Sequence, residues 1–204
     1  MRRMIEWYPG AVVIPGPESK QGYGSIRTRI AKGLMGHSAE GEWAGMLARL
    51  ESTSQVTWTG SILTVGTVIQ HYPLSACCWH AGSSYPNTRW SGWELEGRAG
   101  EPLTMAQKLA LADVIFWQAE QEDWPGFILK KDTGTLHEHN WYFATACPSG
   151  RIPWEEVIEM ATVDTQARKD IAVLKAAQHL AGLALKGDWQ DLANALKYLG
   201  VVAA

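Results

Sequence analysis

Three cysteines in 204 residues, two of them the adjacent pair Cys77 and Cys78, cannot make a disulfide framework. Their scarcity points to a reducing compartment, where a thiol such as Cys147 is free to bind metal as a thiolate. No apolar run reaches the ~18–20 residues needed to span a bilayer, so no membrane span is expected. The opening MRRMIEWYPG has basic residues but lacks the apolar core of roughly 7–15 residues that a secretory signal carries, and synthesis in the cytoplasm is expected. Basic excess is missing too. A net charge of −3 argues against electrostatic binding to nucleic acid, which needs a basic face.

Phenylalanine is scarce while tryptophan is abundant, 3 against 11. Indoles pack in cores, and their flat faces with one N–H donor also suit sugar rings and groove edges. A hydrophobic content of 46% is enough for one ordinary domain, with or without a small appendage. There is no internal repeat and no low-complexity tract.

Along the chain, residues 1–29 are rich in Gly, Pro and polar residues without periodicity, and read as an irregular lead-in. Ile30–Met35 is a short apolar segment delivering His37, as an inner strand ending at a cleft would. Trp43, Met46, Leu47 and Leu50 have helical spacing. VTWTGSILTVGTVIQHY is β-branched around Gly66, the pattern of a hairpin. Trp93–Gly97 alternates like a strand. Thr104 is placed as an N-cap with Gln107 in the capping-box position, opening a helix to about Gln121. Phe127–Leu129 reads as a short strand, Thr133-Gly134 as a turn, and Pro153 as a first-turn residue of another helix. Residues 165–186 and 188–199 are rich in Ala, Leu and Lys and joined at Gly187, with Asp188 as N-cap and Gly200 as C-cap. They read as a C-terminal helical hairpin appended to an α/β core.

The stretch LHEHNWYFATACPSGRIPW, residues 136–154, holds the chemistry. His139 and Cys147 are of the two commonest zinc-ligand types, and a water-activating site needs three protein ligands with a fourth position open. On spacing alone the pair is equally a buried thiol near a surface histidine, and the third ligand must come from elsewhere. His137, two residues before His139, is an alternative ligand in an extended segment.

Taken together, a strand ending in His37, GTVIQHYPLSACCWHAG, WELEG, PLTMAQKLAL and the H-x7-C-P spacing resemble the zinc-dependent N-acetylmuramoyl-L-alanine amidases over about residues 30–158. That family is shared by phage endolysins, muropeptide-recycling amidases and peptidoglycan recognition proteins. The resemblance implies a central mixed β-sheet flanked by helices with a zinc-containing groove, so an α/β catalytic domain over 30–163 between the lead-in and the helical appendage 164–204. It implies Zn2+ held by His37, His139 and Cys147, with Thr145 beside the open metal position and Glu94 helping to activate water. His80, Trp58 and Asn87 form the expected substrate-binding set, and peptidoglycan or muropeptides the expected partner.

Three positions depart from the family pattern. Trp58 stands where many members carry tyrosine, which shifts proton handling to Glu94. His139-Asn140-Trp141 replaces a common H-R-D, and Ser149 stands where glycine usually follows C-P. The implied reaction is hydrolysis of the amide between N-acetylmuramic acid and L-alanine. A phage endolysin fits best. The alternatives are a cytosolic recycling amidase, whose branch usually has aspartate as third ligand, and a binding protein without catalysis, which typically lacks the metal cysteine.

Overall fold

The computed structural model describes residues 4–23 and 25–163; the C-terminal helical hairpin expected from the sequence lies outside the described residues. In chain order the elements are β1 (Val12–Val13), β2 (Leu34–Ser38), α1 (Trp43–Glu51), β3 (Gly60–Ile62), β4 (Val68–Gln70), α2 (Ser84–Asn87), β5 (Ser91–Leu95), α3 (Met105–Glu122), β6 (Leu136–Glu138) and α4 (Trp154–Thr162). Two 3-10 turns, Glu18–Lys20 and His139–Trp141, complete them.

The strands form one mixed sheet in the order β1-β4-β3-β5-β2-β6. Only β3 and β4 pair antiparallel, as the hairpin expected around Gly66, whose φ of 83° is a conformation that glycine adopts without strain. The other pairs are parallel. Every residue of β2 is buried, as expected of an inner parallel strand covered on both faces.

Side chains alternate across the sheet and divide its two faces by chemistry. Leu34, Trp93, Leu95, Ile62 and Leu136 pack with α3 and α4 in the main apolar core. The capping box at Thr104 and Gln107 starts α3 as expected. A second, smaller core joins Met46 and Leu50 of α1 with Trp58, Tyr72 and Cys78. The intervening positions of the central strands, Met35 and His37 on β2 and Gly92 and Glu94 on β5, point away from the α3 face. The register sets His37 opposite Glu94, so the two share that face.

The lead-in is irregular except for its 3-10 turn and β1, which adds a parallel edge to β4 through two residues about half exposed. A two-residue strand is too short to leave a periodic signal. Phe127–Leu129 forms no strand beyond an isolated bridge from Leu129 to Leu136. Thr135 replaces the ladder: its Oγ1 accepts from the Ile128 amide at 2.9 Å and donates to the Gly126 carbonyl at 2.7 Å. Pro153 takes the N-cap position of α4, just outside the helix. Among the described residues no helix is long and apolar enough to cross a membrane.

Candidate metal centre and groove

Three elements meet at the C-terminal end of β2. His37 is the penultimate residue of β2 and is buried. The parallel register of β2 with β6 pairs Gly36 with Glu138, and one step further brings His139 beside His37. Their ring centroids are 4.6 Å apart. The chain then leaves the extended geometry in the 3-10 turn and loops back to Cys147, whose carbonyl accepts from the Asn140 amide at 2.8 Å. The Ser38 amide donates to Cys147 Sγ at 3.2 Å, fixing the sulfur over the end of β2.

The ligand atoms of His37, His139 and Cys147 all lie within 4.8 Å of one another. Zinc bonds of about 2.0–2.3 Å place tetrahedral ligand atoms roughly 3–4 Å apart, so the cluster needs only a slight contraction. Both ring nitrogens of His139 are buried without a hydrogen-bond partner in the protein. Such orphaned atoms are costly unless something else meets them. Two imidazoles, a thiol and an orphaned nitrogen fit a zinc ion.

Electrostatics agree in part. Burial, then the neighbouring His80 and His139, holds His37 well below its ordinary value, and burial brings His139 down to about 4. Both rings are therefore neutral at pH 7, the form that binds metal. Burial, reinforced by Glu94, pushes the Cys147 thiol up to about 12. A cation between the three residues would reverse this, because positive charge favours the thiolate.

Glu94 lies across the cluster, its Oε1 3.8 Å from His37 Nδ1 and its Oε2 buried without a partner. Burial and the Glu40 carboxylate raise its pKa to about 8, a value suited to proton transfer near neutrality. Thr145 Oγ1 accepts from the Cys147 amide at 3.2 Å, which leaves its hydroxyl hydrogen to donate elsewhere. All these residues line a groove of about 500 Å³. It adjoins a second hollow of about 350 Å³ along α1, which shares Arg49, Val56 and Glu94 with it.

Of the remaining expected residues, His80 and Asn87 line the same groove, and Trp58 borders the adjoining hollow. His80 is 6% exposed, and both its ring nitrogens are engaged, Nδ1 with His37 Nε2 at 3.0 Å and Nε2 with the Trp90 carbonyl at 3.0 Å. Asn87 is buried, and its Oδ1 accepts from the His80 and Ala81 amides, so it holds the loop that carries His80. Trp58 is 3% exposed, borders the α1 hollow, and donates from Nε1 to Ser61 Oγ at 2.8 Å. His137 stands outside the cluster. It stacks on Trp90 with centroids 3.7 Å apart, and its Nε2 donates to the Gly134 carbonyl.

Several groove residues were not singled out from the sequence. Tyr23 stacks on Trp79 at 4.5 Å between centroids, and both line the groove with Arg49, Gln55 and Phe143. Only Trp79 carried a signal, as part of the ACCWHAG segment. Tyr23 and Arg49 sit in a lead-in and on an exposed helix face with nothing local to mark them.

Comparison with known proteins places this geometry. Among solved structures, an endolysin N-acetylmuramoyl-L-alanine amidase, LysCS from Clostridium intestinale URNW, superposes with a TM-score of 0.57 at 18% identity, covering 78% of this chain and 99% of that one. PlyL gives 0.59 at 14% identity, over 75% and 97% of the two chains. An AmpD derivative gives 0.58 at 20% identity, over 76% and 97%. At these identities the likeness establishes the fold. No curated protein matches the chain at a significant level. The sequence model of the family described as N-acetylmuramoyl-L-alanine amidase matches residues 27–150, more than half of the chain and all of the cluster, and the protein belongs to that family.

Proposed function

We propose that the protein is a zinc-dependent amidase that hydrolyses the bond between N-acetylmuramic acid and L-alanine in peptidoglycan. The observation that carries the reading is the His37, His139 and Cys147 cluster, with its orphaned His139 nitrogens, opening into the groove beside Glu94. Zinc bound there supplies a lowered pKa for water and polarisation of the scissile carbonyl.

The chain's own residues supply the rest. Glu94 takes the proton of the attacking water and returns it to the leaving amine, a role that its raised pKa and position opposite His37 support. The free hydroxyl hydrogen of Thr145 donates to the oxygen that gains charge as the carbonyl becomes tetrahedral. Trp58 and Asn87 act on substrate by shaping the groove, the first at its α1 end and the second through the His80 loop. The catalytic domain spans 30–163.

A phage endolysin, made in the cytoplasm and acting on the wall after release, is the better reading. A cysteine completes the cluster, whereas the recycling branch usually carries aspartate there. Overall shape does not discriminate, since LysCS and the AmpD derivative superpose equally well. The test is digestion of purified sacculi, with masses of the released fragments read alongside bound zinc. Free stem peptides starting in L-alanine are expected, and cut glycan with intact stem linkages would overturn the reading.

A further inference from the structure

The histidine behind the cluster is held by more devices than a groove wall needs. The Asn87 side chain takes its backbone amide at 3.1 Å and that of Ala81 at 2.8 Å. Residue 92 on β5 is glycine, and a β-carbon there would lie 2.5 Å from His80 Cγ, so the ring rests directly on bare backbone. The outer nitrogen, Nε2, meets the Trp90 carbonyl at 3.0 Å.

These contacts determine where the protons sit. A carbonyl oxygen can only accept, so His80 Nε2 must carry a hydrogen and donate it. In the neutral ring Nδ1 then has a lone pair and can only accept. The atom facing it at 3.0 Å is His37 Nε2, which must therefore be the donor. A neutral His37 with hydrogen on Nε2 has its lone pair on Nδ1, the nitrogen 3.7 Å from Cys147 Sγ. The sequence of bonds runs from His37 through His80 to a backbone carbonyl, and each step has one allowed direction. Ring orientation in metal-binding histidines is commonly set by the hydrogen bond on the other nitrogen, and loss of that partner typically weakens metal binding about 10–100-fold.

We propose that His80 is a positioning residue that imposes on His37 the tautomer with a bare Nδ1, and so presets that nitrogen as a metal ligand. The proposal rests on the zinc reading of the cluster for its function, though not for its geometry. Hydrogen bonding to substrate is then not what His80 contributes, since both its ring nitrogens are engaged within the protein.

The test compares the wild type with His80→Gln and His80→Met. Glutamine can offer an oxygen to the His37 N–H and an amide to the Trp90 carbonyl; methionine can offer neither. Zinc affinity, measured by competition with a chromophoric chelator, is expected to fall about 10–100-fold in His80→Met and to recover at least partly in His80→Gln. Ring 15N NMR of the metal-free wild type is expected to show His37 with hydrogen on Nε2. If His80→Met does not fold, this spectrum decides alone. Hydrogen on Nδ1 of His37, or unchanged zinc affinity in His80→Met, would overturn the proposal. A wild type that binds no zinc, yet shows the expected tautomer, would instead remove the metal reading and leave the proton arrangement standing.

Discussion

Cys147 Sγ and His37 Nδ1, separated by 110 positions in the chain, lie 3.7 Å apart at the end of β2. The contact exists because β6 runs parallel to β2 and returns the chain to the same end of the sheet, where the following turn swings the thiol back over Ser38. The metal reading of the site depends on that closure.

The ligand set is tested by composition. About one zinc per chain is expected by stoichiometric metal analysis, and Cys147→Ser should lose most of it while staying folded. His37→Ala and His139→Ala should abolish turnover. His137→Ala should not, because that ring is stacked on Trp90 outside the cluster. Full zinc and activity in Cys147→Ser would sink the assignment.

Glu94→Gln keeps the shape of the side chain and removes the base. Its kcat is expected to drop by roughly two to four orders of magnitude, with zinc content and substrate binding little changed. Turnover within about tenfold of wild type would show that Glu94 is not the base.

Acid stability reports on a different histidine. His71 is buried; its Nδ1 donates to the Ile14 carbonyl at 2.8 Å and its Nε2 faces Ser61 Oγ at 2.9 Å. Burial lowers its pKa from 6.5 to about 4. The folded state thus resists a proton that the unfolded chain accepts. Its contribution is complete above pH 6.5 and is lost as pH falls toward 4, by on the order of 3 kcal/mol. Urea unfolding of wild type and His71→Gln across that window should give a shallower pH slope for the variant. Parallel slopes would mean that His71 contributes nothing to the acid loss of stability.

The appendage is tested by shortening the chain. Among the described residues, the sheet, the two cores and the groove draw on positions up to Thr162. A protein ending at Val163 is expected to keep hydrolysis of small soluble muropeptides and to lose activity on whole walls. Equal loss on both substrates would show that residues 164–204 belong to the catalytic fold.

Local chemistry was readable along the chain wherever a residue's role depends on its near neighbours. The Thr104 capping box, the hairpin turned at Gly66 and the helix bearing Met46 and Leu50 each follow from contacts a few positions apart. The cluster residues could be named because the family pattern carries their spacing. On spacing alone, His139 and His137 remained rivals.

Tertiary structure decided between them. The β2–β6 register sets His139 beside His37, and the change from strand to 3-10 turn leaves His137 facing Trp90. It also turned His80 inward onto His37 and drew Tyr23 from the lead-in onto Trp79. The loss of the strand expected at Phe127–Leu129 was equally invisible, because the Thr135 side chain takes the Ile128 amide and the Gly126 carbonyl that a partner strand would have met. The sequence by itself determined which residue types were present for zinc and proton chemistry. Which nitrogen faces which atom is set by parallel pairings between segments far apart in the chain, and no local pattern records those pairings.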